Sequence, residues 1–325
     1  MVIYSKPPRT YEELVSLLES RHLMIKNRGR AKRKLESINY YRLSSYMLPY
    51  KKMVDGVMTD DFRDGITWEK VYSLYVFDRK LRLLVFDTIE RVEIAVRSQL
   101  VYQLSHKYGS HWQDNPAVFK PAYTLKQRNG QIIIVNPFTT IQKQITSQLH
   151  SNKAEVFIKH YRNTYSSPVN PPSWMSIEIL YFSQLSIICG NLANRSDLSQ
   201  IAGYFNLPPD VFVSWLHTIN YIRNVCAHHA RLWNRDFDIE PAILKFSRNR
   251  LWLSNPSAYN RRRIYYFICM LNYLLQTINP TSHFTTKLKR LLHQYRHVIF
   301  LDAMDFPPNW KKELMWRYKI NPGSI

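Results

Sequence analysis

Residues 68–106 read WEKVYSLYVFDRKLRLLVFDTIERVEIAVRSQLVYQLSH, with neither glycine nor proline. Leu74, Phe77, Leu81, Leu84, Thr88, Val92 and Val96 recur at spacings of three and four, the period of one face of an α-helix. The stretch predicts a long amphipathic helix, or two helices end to end. Its other face is crowded with charge: Asp78, Arg79, Arg82, Asp87, Glu90, Arg91, Glu93 and Arg97. On an ordinary helix such a face is solvated.

Upstream, Thr10 followed by Glu13 has the form of a capping box that opens a helix carrying Leu14, Leu17 and Leu18. A basic stretch follows, with ten Lys/Arg between Arg21 and Lys52 against the single acid Glu36. Tyr40, Tyr41, Tyr46 and Tyr50 are interleaved with it. Amines that meet phosphates, mixed with rings that stack on bases, suit a nucleic-acid surface, and Lys32, Arg33, Lys34, Tyr40, Tyr41 and Arg42 are its candidate contacts. The competing reading is a helical module with core tyrosines and solvated lysines.

Residues 53–67, with Gly56, Gly65 and four aspartates, read as a loop. The helical pattern also breaks at 107–140. There Asn129-Gly130 is a type I′ turn signal and Gln131–Val135 a strand candidate, so a small β-hairpin insert is expected near 120–137. Helix resumes over 139–164. Pro168, Pro171 and Pro172 precede a helix over 173–192, and Pro208-Pro209-Asp210 opens one that runs to about Trp233. Residues 241–300 read as helical again, and Lys245 to His297 holds ten Lys/Arg and no acid. There is no internal repeat.

Composition sets the class. The 325 residues include 45 Lys+Arg and 24 Asp+Glu, a net charge of +21, and 45% are hydrophobic. That apolar fraction supports a core and excludes a disordered basic tail. Only 8 glycines are present, which argues against the glycine-built phosphate loops of Rossmann and P-loop proteins. The charge points to a polyanion: RNA, DNA or an anionic membrane surface. Cys189, Cys226 and Cys269 form no disulfide pattern, which favours a reducing compartment. The N-terminus lacks the apolar run of a signal peptide, so a cytoplasmic protein is expected. The longest apolar stretch, Ile264 to Ile278, includes Asn272 and Gln276 and falls short of the roughly 20 residues a span requires. It reads as a core helix, with no membrane partner.

One segment carries chemistry: NYIRNVCAHHARLWNR, Asn220 to Arg235. On an ideal helix, Arg223, Asn224, His228, Arg231, Asn234 and Arg235 fall in one arc about 140° wide. That arc holds cations, amides and one imidazole, and no carboxylate. His229 falls on the opposite, apolar face, where a hydrogen-bonded core histidine is expected. Imidazole is the ordinary proton carrier near neutral pH, so His228 is the candidate acid–base. Arg223 offers a fixed fork for phosphoryl oxygens, and Asn224, one turn before His228, is placed to orient it. Arg223 and His228 lie at opposite edges of the arc, so two copies of the face about a two-fold axis would bring them together. The competing reading pairs them with Asp78, Asp87, Glu90 or Glu93 of the charged helix. Cys226, His228 and His229 scatter around the helix, so no metal site is expected.

Five blocks, INYYRLSSYMLPY (38–50), LYVFDRKLR (74–82), IERVEIAVRS (89–98), PPSWMSIEIL (171–180) and RNVCAHHARLWNR (223–235), resemble the Abi-like abortive-infection family of the AbiD/AbiF type. The resemblance covers about residues 7–240. It implies an all-α HEPN-type helical bundle that dimerises, and a ribonuclease motif R-x-x-x-x-H formed here by Arg223 and His228, with Asn224 beside Arg223. Ala230 stands where one HEPN group has a tyrosine, so a nucleotide-modifying toxin of that type is not indicated. The expected organisation is a basic N-terminal helical module over 1–55 and a HEPN-type domain over 56–325.

The expected function is a phage-defence endoribonuclease that uses neither metal nor cofactor, acting as a homodimeric toxin with a composite active site. RNA is its partner as substrate, with a regulatory RNA as a second candidate role. Arg231, Asn234 and Arg235 join the N-terminal cluster as RNA contacts, and Asp78, Arg79, Arg82 and His229 are supporting residues. The alternative is a non-catalytic RNA-binding protein of the same defence system.

Overall fold

The computed structural model describes residues 7–126, 129–247 and 250–317, together with Ile3 and Ser5. In chain order the helices are α1 (Tyr11–Ser20), α2 (Arg28–Ile38) and α3 (Tyr40–Met47), then a hairpin of β1 (Lys51–Val54) and β2 (Val57–Phe62). Helix α4 (Trp68–Tyr108) precedes a second hairpin, β3 (Tyr123–Lys126) and β4 (Ile132–Val135). There follow α5 (Pro137–Leu149), α6 (Val156–Thr164), α7 (Ser173–Ser176), α8 (Phe182–Gly190), α9 (Arg195–Tyr204) and α10 (Pro209–Ala227). The last are α11 (Ile264–Ile278), α12 (Phe284–Gln294) and α13 (Leu314–Arg317). The chain is therefore mostly α-helical. It forms two compact units: Met1–Arg82 with Thr286–Phe300, and Leu83–Thr285 with Leu301–Ile325.

In the first unit, α1 begins with the expected capping box. The Thr10 hydroxyl accepts from the Glu13 N–H, and the Glu13 carboxylate accepts from the Thr10 N–H. Asn39 (φ 72°) serves as C-cap of α2 and N-cap of α3, so the chain turns from one helix straight into the next. Residues 53–62, expected as loop, are largely hairpin. Val54 pairs with Val57 across Asp55 (φ 50°) and Gly56 (φ 77°), the left-handed pair of a type I′ turn. A boundary at residue 55 would cut this turn, and the unit continues into α4.

Helix α4 is one unbroken element of 41 residues, which settles the choice between one helix and two. Val71, Leu74, Phe77 and Leu81 are buried in the first unit; Val85, Ile89, Val92, Val96, Leu100 and Leu104 in the second. Its charged face is not uniformly solvated. Asp78 is fully buried, ion-paired with Arg82, and accepts from the Tyr46 hydroxyl at 2.6 Å. Burial and the adjacent Asp78 carboxylate push the Tyr46 phenol well above its ordinary range, so it stays a proton donor. Tyr295 packs on Phe77 (5.8 Å), and the Tyr50 hydroxyl donates to the Val298 carbonyl at 3.1 Å, which joins the segment after α12 to this unit.

In the second unit, β3 and β4 form the expected insert, with Lys126 paired to Ile132. Asn129 and Gly130 (φ 84°) lie between the two strands in a turn, not as its two central residues directly flanked by paired strands, and 127–128 fall outside the described residues. The helices expected over 139–164 and 173–192 are each split. Between α7 and α8, buried Arg97 donates to the carbonyls of Ile177, Glu178 and Leu180, and pairs with Glu93 at 2.5 Å. The guanidinium fork thus serves backbone acceptors where the helix is interrupted.

Helix α11 is the core helix expected: every residue from Ile264 to Leu275 is buried. Its two amides have partners. The Asn272 amide donates to the Met315 carbonyl, and the Gln276 amide both donates to and accepts from the Leu251 backbone. No helix among the described residues is long and apolar enough to cross a membrane.

Helix α10 stops earlier than expected. His228 is its C-cap, and His229 takes the left-handed conformation (φ 55°). The N–H of Ala230 bonds to the Val225 carbonyl at 2.9 Å and that of His229 to the Cys226 carbonyl at 3.0 Å. This is a Schellman termination with histidine at the position glycine usually fills. His229 is consequently exposed, not a core residue. Residues 228–263, expected in part as helix, contain no α-helix among those described. Side chains hold this segment: Trp215 donates to the Ala242 carbonyl, Ser214 accepts from the Ala242 N–H, and Trp252 donates to the Leu244 carbonyl.

The buried pair and the α10 terminus each set a stability outcome. Asp78→Ala strands a buried guanidinium and should lower stability by about 3–5 kcal/mol, whereas Tyr46→Phe should cost about 1–2 kcal/mol. Denaturant midpoints that leave Asp78→Ala equal to wild type would refute the buried-pair account. At the α10 terminus, His229→Val should be less stable than His229→Gly by about 1–2 kcal/mol, because a β-branched residue resists the left-handed conformation. Equal melting temperatures for the two variants would count against the Schellman cap.

Candidate active site

The site grows out of the last turn of α10. The helix starts at Pro209, whose missing N–H costs nothing at the first helical position. Phe212, Trp215, Leu216, Ile219, Ile222, Val225 and Cys226 bury one side of it. That burial fixes the rotation of the helix and turns Arg223 and Asn224 to the opposite side. Asn224 is exposed and Arg223 half-buried.

Arg223 lies with its guanidinium 6.0 Å from the Phe86 ring centroid on α4, and its Nη1 donates to Asn224 Oδ1 at 3.4 Å. Its Nε is buried without a hydrogen-bond partner. Among the described residues, no carboxylate neutralises it. Three of the four α4 acids that were candidates for that role have partners one turn away on their own helix: Asp78 with Arg82, Asp87 with Arg91 (3.5 Å) and Glu93 with Arg97 (2.5 Å); the fourth, Glu90, is exposed and is not paired with Arg223. A guanidinium against an aromatic face, with no counter-ion, is poised for an anion. His228 follows at the C-cap, exposed, with its backbone N–H bonded to the Asn224 carbonyl at 2.9 Å. Arg223, Asn224 and His228 are thus brought to one end of one helix.

The continuous arc drawn on an ideal helix does not extend past Ala227. Arg231, Asn234 and Arg235 lie on the non-helical segment, on either side of fully buried Leu232 and Trp233. All three are half-buried. Arg235 stacks near Phe237 (5.8 Å) and donates to the Tyr221 hydroxyl at 3.5 Å. Asn234 (φ 46°) accepts from Arg263 at 2.8 Å. A guanidinium only donates, so this bond assigns the Asn234 oxygen to Arg263 and turns its NH₂ donors away.

Arg263 is absent from the site residues that spacing picks out, and its neighbours act with it. Arg262 pairs with Asp236 at 2.7 Å and its carbonyl accepts from the Phe237 N–H at 3.0 Å, while Arg261 pairs with Glu240 and donates to the Pro241 carbonyl at 2.6 Å. The run Arg261-Arg262-Arg263 therefore straps residues 234–241 in place. Phe86, beneath Arg223, is likewise absent from the sequence expectations. Neither has a local signal, since both act across long sequence separations.

The basic N-terminal residues divide. Tyr41 is 85% exposed, and Arg33 and Arg42 are exposed. Lys32 lies 3.7 Å from Glu12, Lys34 sits over the Tyr72 ring (5.2 Å), and Tyr40 accepts from Arg21 at 3.1 Å. Tyr46 and Tyr50 are buried. The core reading thus holds for Tyr46 and Tyr50, while Tyr41, Arg33 and Arg42 lie at the surface. Among the supporting residues, Asp78 and Arg82 pair with each other and with Tyr46, and Arg79 is exposed.

Other chemistries find little here. The three cysteines are buried. Burial pushes the Cys189 thiol up to about 12 and Cys269 well above its ordinary value, the opposite of an activated nucleophile. Among the described residues, no group of three or more His, Cys, Asp or Glu is placed to hold a metal ion.

Known proteins offer one point of comparison. No curated protein and no solved structure matches the chain. A family model described as Abi-like protein matches residues 33–234, from within α2 to Asn234, and so takes in α4, Arg97, Arg223, Asn224 and His228. With well over half of its length matched, the chain belongs to the Abi-like protein family.

Proposed function

We propose that this protein acts in abortive-infection phage defence as a HEPN-type endoribonuclease that cleaves RNA without a metal ion. The observation that carries this reading is Arg223: a half-buried guanidinium without a counter-ion among the described residues, beside Asn224 and followed by an exposed histidine at the helix end. Membership of the Abi-like family supports the defence role.

In the proposed reaction the ribose 2′-oxygen attacks the adjacent phosphorus. The bond to the 5′-oxygen breaks, leaving a 2′,3′-cyclic phosphate and a 5′-hydroxyl. His228 takes the 2′-hydroxyl proton and returns it to the leaving 5′-oxygen. Arg223 donates to the phosphoryl oxygens as their negative charge grows. Asn224 holds Arg223 through its side-chain oxygen and braces His228 through its backbone carbonyl. Arg231, Asn234 and Arg235 grip flanking phosphates, and exposed Tyr41, Arg33 and Arg42 offer a ring and two cations to RNA. Two copies related by a two-fold axis would form a composite site, with His228 of each copy working beside Arg223 of the other.

His228→Ala should reduce cleavage about 10²–10⁴-fold and abolish growth arrest on expression, with RNA affinity nearly unchanged. Arg223→Lys keeps the charge and loses the fork, and should also cut poorly. An RNA with a single 2′-deoxy substitution at the scissile position should bind and stay intact. A folded His228→Ala protein that cleaves as wild type would sink the proposal. Binding without any cleavage by wild type would leave the non-catalytic RNA-binding reading, which the exposed Tyr41, Arg33 and Arg42 favour.

A further inference from the structure

Helix α12 lies outside the segment that matches the family, which ends at residue 234. Its apolar residues Phe284, Leu288, Leu291 and Leu292 are buried, as is Tyr295 just beyond it. Its solvent side, continued into the turn that follows, presents Lys287, Arg290, His293, Arg296 and His297, all exposed. Not one acid occurs between Lys245 and His297. Among the described residues, no carboxylate lies within ion-pair distance of Lys287, Arg290 or Arg296. The Arg296 guanidinium instead contacts the carbonyl (3.0 Å) and ring nitrogen (3.2 Å) of His293. In the same unit, Lys80 of α4 stands over the Tyr295 ring (5.1 Å) with its amine 3.5 Å from Gln294, which widens the strip.

An ordinary exposed helix face mixes both signs and gains from pairs three or four residues apart. This face forgoes every such pair and sets Lys287 and Arg290 at a like-charge i, i+3 spacing. Fold stability gains nothing from that arrangement, and a polyanion would gain from all of it. Two kinds of polyanionic surface meet basic amphipathic helices: nucleic acid and anionic membrane. A helix that lies on a membrane inserts its apolar face, and the apolar face of α12 is already buried in protein. What remains carries Lys and Arg and no acid, along a rise of about 1.5 Å per residue, which suits a phosphodiester backbone.

We propose that the outer face of α12, Lys287, Arg290 and Arg296 with Lys80 beside them, is an RNA-backbone docking strip separate from the cleaving residues. It is sequence-independent and holds phosphates without contacting the scissile bond. The choice of RNA over DNA rests on the ribonuclease reading; the phosphate grip does not.

The test uses the full chain carrying His228→Ala, so that bound RNA survives, with and without the triple substitution Lys287→Gln, Arg290→Gln and Arg296→Gln. All three side chains are exposed, so circular dichroism and melting temperature should not change. Affinity for a single-stranded RNA oligonucleotide should fall at least tenfold at low salt. The slope of log affinity against log salt should become shallower by about 2, since each phosphate that is no longer neutralised removes about 0.7. Unchanged affinity and slope in the triple variant would overturn the strip and leave the cleavage mechanism standing. If the wild-type chain shows no cleavage while strip-dependent binding persists, the ribonuclease reading fails and the strip survives. Loss of binding to vesicles rich in phosphatidylserine, with RNA affinity untouched, would reassign the face to a membrane and overturn the proposal.

Discussion

Acids and arginines on α4 are set four residues apart, and each pair closes on itself: Asp78 with Arg82, Asp87 with Arg91, Glu93 with Arg97. This i, i+4 arrangement is favourable on any helix, but two of the pairs do more. The Asp78 pair is buried and takes the Tyr46 hydroxyl into its network. The Arg97 guanidinium is buried against the break between α7 and α8, where it caps three backbone carbonyls. These three carboxylates are engaged along their own helix, and among the described residues none pairs with Arg223. In a chain with only 24 acids, where the acids sit decides which cations are free to act.

That constraint bears on how much is legible in sequence. Elements with local causes are: the capping box of α1, the 3–4 spacing of α4, the proline start of α10, the unbroken apolar run of α11, and the second hairpin. The Asp55-Gly56 turn is equally local, but the aspartates around it make a strand look like a loop. The end of α10 is not legible. Glycine normally marks a left-handed C-cap, and here His229 fills that position. Helical projection then carries the polar arc too far and places His229 in the core. Of the candidate site, Arg223, Asn224 and His228 survive as neighbours, because they precede or form the cap. Arg231, Asn234 and Arg235 reach their places by a different backbone.

Net charge is a coarse guide for the same reason. The basic block 245–297 looks uniform, yet its members behave differently. Arg261, Arg262 and Arg263 turn to the segment before them and bind Glu240, Asp236 and Asn234. Their acids lie upstream of the block, so a window drawn on sequence counts the cations and omits their partners. Among the described residues, Lys287, Arg290 and Arg296 have no such complement. Likewise in 21–52, Tyr46 and Tyr50 belong to the core and Tyr41 to the surface, although the four tyrosines of that stretch look alike in sequence.

The strap formed by Arg261–Arg263 and the Schellman cap together fix the backbone around the candidate site. Catalytic groups on a free loop lose much of their advantage to disorder, and geometry held within fractions of an ångström preserves it. His228 sits at a helix end closed by two backbone hydrogen bonds. The segment beyond it is anchored by fully buried Leu232 and Trp233, and then by three consecutive arginines. The backbone beyond α10 is therefore held, out to Pro241, by interactions the helix itself does not supply. A motif that needed only to bind RNA could tolerate slack along this stretch. The ribonuclease proposed above would have to present an imidazole and a guanidinium to a single phosphate, and a held backbone serves that need where slack would not.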